Sequence, residues 1–310
     1  ISLSSSLNQN SKEVRQMNNI FTLTFLTGLL IATMRMLPPL LLGATGEMFS
    51  ERCGLTNIGL EGIMSVGAIV GFITSYFTKN PYLGMLAGVV AGWGVNMIYA
   101  FLTINLNADQ VIVGNAMNIL GLAIASLVYT TVSKKQAGVM QSVTADNYSV
   151  LIIAVVMTLV IGFYLYKTKS GLAFRSVGEF PRAAETLGIN ITKKKYLACS
   201  VNGALCGLAG AYLTTIYISS YVNGIVSGRG YIALAAVIFG KWKPKGVLLA
   251  CIFFAFLDAL QLRLQVVSNA IPYQFLQMLP YLATLIVLSF FMKPGSEPKA
   301  NGKPYTRESR

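Results

Sequence analysis

The chain has 310 residues, of which 54% are hydrophobic and only 11% are charged, and its formal net charge is +13. A soluble globular domain carries about 25% charged residues, so this chain lacks the polar side chains needed to cover a core in water. The composition predicts an all-α integral membrane protein whose basic residues gather on cytoplasmic loops beside anionic lipid. The absence of histidine excludes histidine-based acid–base catalysis and histidine metal ligands.

The first element is a polar N-terminal tail, residues 1–16, which lacks the apolar centre of a signal peptide. The chain begins with Ile, and Met17, directly before the first apolar run, is an alternative start. The four cysteines have no CxxC spacing, and all but Cys53 lie in apolar runs. Buried thiols are therefore expected rather than disulfides or a metal site.

A transmembrane domain is predicted over residues 17–292, with about ten apolar segments. Segment 36–50 opens with Pro38 and Pro39, which predict a break, and segment 231–240 is long enough for only half a membrane. Ten crossings place both termini on the cytoplasmic side together with the basic stretches, as the positive-inside rule favours. The ten segments lie near 17–34, 36–50, 57–77, 82–104, 108–132, 148–167, 196–221, 231–240, 246–267 and 274–292.

Polar residues inside these segments are candidates for the translocation pathway, because they are costly in a bilayer. Glu61 follows Asn57 by four residues, so the two share a face if that turn is helical. They line the pathway, or they form a buried pair that holds a broken helix. Asn115 and Asn118 suit cavity lining or interhelical hydrogen bonding, and Asp109 is expected to cap a helix.

Small residues recur at every fourth position in "GALCGLAGAYL", where Gly203, Gly207 and Ala211 form one stripe. Such a stripe lets helices approach closely. The sequence predicts tight packing there, within the subunit or at a subunit interface.

The loop 168–195 is polar and basic, and it contains "VGEFPRAAETLGI". Pro181 suits the first position of a short helix, and Gly188 suits its C-terminal cap. Ala183, Ala184 and Leu187 give the helix a small apolar face. A short cytoplasmic helix of this kind predicts a docking element for a soluble partner, with an amphipathic helix on the membrane surface as the alternative.

Four separated motifs, which follow one another along the chain in the order typical of one transporter family, resemble the signatures of that family. "GLAFRSVGEFPRAAETLGIN" resembles the cytoplasmic coupling loop of permease subunits of ATP-binding-cassette (ABC) importers, in the branch that serves simple sugars, branched-chain amino acids and nucleosides. "FSERCGLTNIGLEGIMSVGA", "NADQVIVGNAMN" and "GRGYIALAAVIFGKWKPKG" resemble further signatures of that branch. The residues of these motifs are most similar to those of the shorter permease of nucleoside importers.

The resemblance implies a division of labour in a bacterial cell membrane. An extracellular binding protein delivers a nucleoside, a second, longer permease completes the pathway, and cytoplasmic ATPase subunits grip the loop from Gly178 and Glu179 to Gly188. The chain has no GxxxxGK[ST] motif, so it is expected to be a non-catalytic subunit without a cofactor. The alternatives are a sugar or riboflavin substrate, or an ion-coupled carrier. The tail 293–310 is rich in Pro, Gly and charge and is predicted to be disordered.

Overall fold

The computed structural model describes residues 23–135, 147–267, 272–291 and 297–305, and no β-strand occurs within these ranges. The helices in this part of the chain are α1 Leu23–Glu51, α2 Leu60–Thr78, α3 Pro81–Ala100, α4 Gln110–Lys135, α5 Asn147–Lys167, α6 Lys169–Glu179, α7 Pro181–Thr186, α8 Ile191–Tyr212, α9 Arg229–Phe239, α10 Pro244–Val267, α11 Tyr273–Gln277 and α12 Leu279–Phe291. A π-helical turn extends α3 over Phe101–Asn105, and another extends α8 over Leu213–Tyr217.

Seven helical stretches in the described ranges are long and apolar enough to cross a membrane. Two shorter apolar helical stretches, including α9, add to them. These helices confirm an all-α membrane protein that includes a half-length segment, although fewer long spans are found than the ten predicted segments. The seven are Leu23–Glu51, Leu60–Thr78, Pro81–Asn105, Gln110–Lys134, Tyr148–Lys167, Ile191–Tyr217 and Pro244–Gln265.

The predicted break at Pro38 and Pro39 is wrong, because α1 is one helix of 29 residues that contains both prolines. Proline removes a backbone donor and clashes with the preceding turn, and this local cost suggested two segments. Every residue from Pro38 to Ser50 is buried. Packing against neighbouring helices outweighs the local cost, as it does for many prolines in membrane helices.

The described chain falls into two compact units. Residues 23–37, 252–267 and 272–291 form the first, in which a Cβ atom added to Gly28 would lie 2.5 Å from the Arg263 guanidinium. Residues 38–135, 147–251 and 297–305 form the second. All predicted coupling and pathway residues belong to the second unit.

The backbones of α2, α3 and α8 touch in the second unit. A Cβ atom added to Gly207 of α8 would collide with the carbonyl oxygen of Gly88 in α3, and one added to Gly67 of α2 would lie 2.6 Å from the carbonyl oxygen of Gly207. Only glycine permits this approach. The stripe predicted from Gly203, Gly207 and Ala211 is therefore confirmed, and it packs inside the subunit.

Side-chain caps begin several helices. The Asn80 side chain accepts a hydrogen bond from the Tyr82 N–H (3.0 Å) ahead of α3. Ahead of α4, the Asp109 carboxylate accepts from the N–H groups of Val111 (2.9 Å) and Ile112 (3.0 Å). The cap predicted for Asp109 is thus confirmed, and it satisfies donors that a helix cannot satisfy itself.

Candidate functional site

The connection between α1 and α2, residues 52–59, is irregular backbone enclosed by other helices. The Thr56 N–H donates to Gln110 Oε1 (2.8 Å), and the Asn57 N–H donates to Glu47 Oε1 (2.7 Å). An unpaired amide in hydrocarbon costs several kcal/mol. These side chains supply the partners that a helix would otherwise provide.

The Asn57 side chain is fully buried at the centre of a polar network. Its Nδ2 donates to Asn96 Oδ1 (2.8 Å), and its Oδ1 accepts from the Gly59 N–H (2.8 Å). Asn96 Nδ2 in turn donates to the carbonyl oxygen of Cys199 in α8 (2.7 Å). Asn57 therefore ties the irregular connection to α3 and, through Asn96, to α8.

Glu47 closes this network from α1. Its Oε1 accepts from the Asn57 backbone, as above, and its Oε2 accepts from Asn202 Nδ2 in α8 (2.7 Å). The sequence alone did not place Glu47, Asn96 or Asn202 at this site. The available signal was a single amide side chain in each of two apolar helices, where polar groups need partners.

Glu61, in the first turn of α2, binds the N-terminus of the half-length helix α9. Its two carboxylate oxygens accept from the N–H groups of Gly228 (2.8 Å) and Gly230 (2.8 Å), and the residue is 5% exposed. The first N–H groups of a helix have no internal partner and carry a partial positive charge. A carboxylate satisfies both requirements, so Glu61 fixes α9 to the start of α2.

Asn118 of α4 also binds the start of α2 and the half-length helix α9. Its Oδ1 accepts from the Gly62 N–H (2.8 Å), and its Nδ2 donates to the Ile58 carbonyl oxygen (2.8 Å) and to the Tyr231 hydroxyl (2.9 Å). Asn115, one turn earlier on α4, is exposed. The structure therefore separates the two asparagines that the spacing had grouped.

Three of the four predicted pathway residues thus converge on residues 57–62. Asn57, Glu61 and Asn118 are buried and hydrogen-bonded within the chain. Asn57 and Glu61 bind different partners rather than each other, and Asn57 precedes the helix that begins at Leu60. Their pathway role, like that of Asn115, stays a prediction. In the described part of the chain, no group of Cys, Asp or Glu residues is arranged to hold a metal ion.

The loop 168–195, which the sequence predicts to couple to an ATPase and which is called the coupling segment below, contains two helices, α6 and α7, separated at Phe180. Pro181 occupies the first turn of α7, as predicted. After α7 the Gly188 N–H donates to the Glu185 carbonyl oxygen (2.9 Å), and the Ile189 N–H donates to that of Ala184 (3.1 Å). With Gly188 at a φ of 79°, this is a Schellman motif, and the predicted glycine cap is confirmed.

The coupling segment is seated on the turn after α1. A Cβ atom added to Gly178 would collide with the Arg52 carbonyl oxygen, so glycine is required for this approach. Arg52 Nη1 lies 3.9 Å from Glu179 Oε1, and Arg52 Nε donates to the Trp242 carbonyl oxygen (2.8 Å). The α6–α7 junction is thereby linked to the end of α1 and to the turn before α10.

The apolar residues of α7 face two ways. Ala184 is 1% exposed and packs against its own chain, so it does not share the outward face that the sequence assigned to it. Ala183 is exposed, and Leu187 and Phe180 are 78% and 56% exposed. The outward apolar face is therefore Phe180, Ala183 and Leu187.

Comparison with known proteins identifies the family. The model of the family described as "Branched-chain amino acid transport system / permease component" matches residues 29–288. The chain belongs to this permease family.

Several relatives of the chain carry names that refer to ABC transporters. The guanosine ABC transporter permease protein NupQ of Bacillus subtilis is 35% identical, over 90% of this chain and 96% of its own length. The permease protein TsgC13 of Haloferax volcanii, whose name assigns it provisionally to a glucose ABC transporter, is 34% identical over 86% and 92%. A second guanosine permease protein of Bacillus subtilis, NupP, is 27% identical over 75% and 72%. The chain is thus a multi-pass membrane permease of the ABC transporter class.

Proposed function

We propose that this permease is one of two membrane subunits of an ATP-driven importer that carries a nucleoside, and that it performs no bond chemistry itself. The observation that carries the proposal is the outward face of Phe180, Ala183 and Leu187, which lies outside the membrane-spanning stretches. An apolar patch in water marks an interaction site. Family membership supplies the kind of partner, a cytoplasmic ATPase subunit.

The contacts of the coupling segment allow it to transmit a displacement imposed by that partner. Gly188 caps the C-terminus of α7. The next helix, α8, begins at Ile191, four residues after Leu187. Gly178 and Glu179 seat the other end on the turn after α1, through the contacts with Arg52. A movement of α7 can therefore pass to α1 through the Arg52 contacts and to α8 through residues 187–190.

The second permease and the extracellular binding protein complete the proposed importer. Two observations support a second permease. NupQ and NupP are two permease proteins named for guanosine transport in one organism. Asn115 exposes an amide on a membrane-spanning helix, and a second subunit or a watery pathway covers such a group better than lipid does.

The substrate assignment is supported by the two relatives named for guanosine, and TsgC13 makes a sugar the second candidate. Uptake of radiolabelled guanosine by cells expressing the complete importer distinguishes them. An excess of unlabelled nucleoside is expected to abolish the uptake, whereas an excess of glucose is expected to leave it unchanged. Competition by glucose alone would reassign the substrate.

The proposed orientation places the coupling segment in the cytoplasm, with both termini on the same side, as the positive-inside rule favours. Because all four native cysteines are buried, the variant Leu187→Cys, at a position that is 78% exposed, reports the side of the coupling segment directly. An impermeant maleimide is expected to label this variant in inside-out vesicles but not in intact cells.

The test of the function is ATP-driven uptake into proteoliposomes that contain the complete importer. Leu187→Asp places a charge on the outward face and is expected to abolish uptake while the permease still inserts. Thr192→Asp, an exposed position at the start of α8, is the matched control and is expected to retain uptake. Uptake that persists without ATP, or that survives Leu187→Asp, would contradict the proposal.

A further inference from the structure

Residues 297–305 lie against the coupling segment rather than apart from it. Pro298 is buried, and the Ala300 N–H donates to the Gly178 carbonyl oxygen (2.9 Å). The Tyr305 hydroxyl donates to the Glu185 carboxylate. These nine residues, which fall within the tail predicted to be disordered, therefore touch the end of α6 and the last turn of α7.

The same residues are compact in themselves. The Asn301 N–H donates to the Pro298 carbonyl oxygen (3.0 Å), and the Lys303 N–H donates to that of Ala300 (3.2 Å). Asn301 Nδ2 also donates to Glu297 Oε1 (3.4 Å). These consecutive turns and the bond to Gly178 give the stretch a defined surface.

A groove of about 480 Å³ lies between this stretch and α7. Its floor is apolar, and its charged groups are mostly basic. Lys299 Nζ sits 4.6 Å from the centre of the Phe180 ring, and Lys303 is exposed. The charged lining residues are Arg182, Lys195, Lys299 and Lys303 against one acid, Glu179, which lies beside Arg52.

We propose that residues 297–305 form part of the ATPase-docking surface and that the basic groove beside α7 receives acidic side chains of the ATPase subunit. The inference rests on the proposed function and extends it. The excess of basic over acidic residues in the lining supports it, because charges of opposite sign across an interface steer association and fix register. Continuity supports it too, since Phe180 and Ala183 belong both to the groove lining and to the outward face. Leu187 stays 78% exposed beside the stretch, so the C-terminal residues enlarge the docking face rather than cover it.

The test measures how tightly the importer's own ATPase subunit binds the membrane subunits in nanodiscs of neutral phosphatidylcholine. The double variant Lys299→Glu with Lys303→Glu is expected to weaken binding about tenfold or more at low salt. The matched control, Lys243→Glu with Lys245→Glu, reverses two exposed lysines outside the groove and is expected to bind normally. Tyr305→Phe, which removes the hydroxyl that donates to Glu185, is expected to weaken binding less than the double reversal.

The outcomes separate this inference from the proposed function. Loss of binding with Leu187→Asp but normal binding with the Lys299/Lys303 variant would overturn the inference and leave the importer intact. Equal loss with the Lys243/Lys245 control would overturn it as well, because general charge attraction would then suffice. An effect confined to nanodiscs with anionic lipid would assign the groove to lipid headgroups instead. No ATPase binding by the unaltered importer would refute the proposed function itself.

Discussion

The carboxylate of Glu61 makes a sharp prediction, because each of its oxygens accepts a different backbone N–H at the start of α9. Glu61→Gln keeps the shape of the side chain but offers one acceptor oxygen. Its NH₂ group would then face either the Gly228 or the Gly230 N–H, donor against donor. The environment is tight, because a Cβ atom on Gly230 would lie 2.5 Å from the Glu61 backbone nitrogen.

The loss of stability in Glu61→Gln can be worked out from the hydrogen bonds that the substitution removes. A hydrogen bond to a charged group contributes about 1.5–3 kcal/mol, and a buried donor left without a partner costs about 1–3 kcal/mol. Loss of the favourable interaction with the helix dipole adds about 0.3–1 kcal/mol. Because these contributions overlap, a destabilisation of about 3 kcal/mol is expected for Glu61→Gln. At about 2–4 °C per kcal/mol, the Tm falls by at least about 6 °C.

A thiol-reactive fluorophore measures this shift in detergent. The four native cysteines are buried, so the dye reacts as the protein unfolds. The control is Asp109→Asn, since Asn caps a helix as well as Asp does, and its Tm is expected to stay within about 1 °C of the unaltered protein. If Glu61→Gln has the same Tm as the unaltered protein yet abolishes uptake, the interpretation that Glu61 fixes α9 to α2 is refuted and the pathway role is favoured.

Three further outcomes are expected. Gly207→Ala should destabilise by about 1–3 kcal/mol, because its methyl group meets the backbone of α3, whereas Gly94→Ala, with nothing within 4 Å, should be neutral or stabilising in the same melting assay. Burial raises the pKa of the Cys53 thiol to about 12, so iodoacetamide at pH 8 should leave it unmodified by mass spectrometry until the protein unfolds, and rapid labelling of folded protein would contradict its burial. Gly188→Val should speed hydrogen exchange in α7 more than Gly188→Asn does, because the site is open but its φ is 79°, a conformation that Asn tolerates and a β-branched residue does not.

Local patterns predicted what depends on neighbours in the sequence. As expected, α7 starts at Pro181 and is capped by Gly188, and Asp109 caps α4. These features depend only on residues within one turn of backbone. The stripe around Gly207 also predicted close packing, since only small side chains let two helices touch. The structural role of each of these positions is determined by its own residue type and a few neighbours in the sequence.

Long-range partners were beyond the same reasoning. Glu61 and Gly228 are 167 residues apart, so no periodicity could pair them. The spacing of Ala183, Ala184 and Leu187 predicted an apolar face but not its direction, because the chain's own helices and a partner are equally apolar. The break expected at Pro38 was wrong for a similar reason: burial of the whole surrounding turn, rather than propensity, decides the conformation there.

The glycine contacts among α2, α3 and α8 have a mechanical consequence. Side chains can change rotamer to absorb a displacement, but Gly67, Gly88 and Gly207 bring backbone against backbone, where nothing can rearrange. The three helices must therefore turn as one stiff block. Under the proposed function, a small tilt imposed on α7 passes through the short connection 187–190 into α8 and becomes a rotation of that block, with α7 as the short arm of a lever.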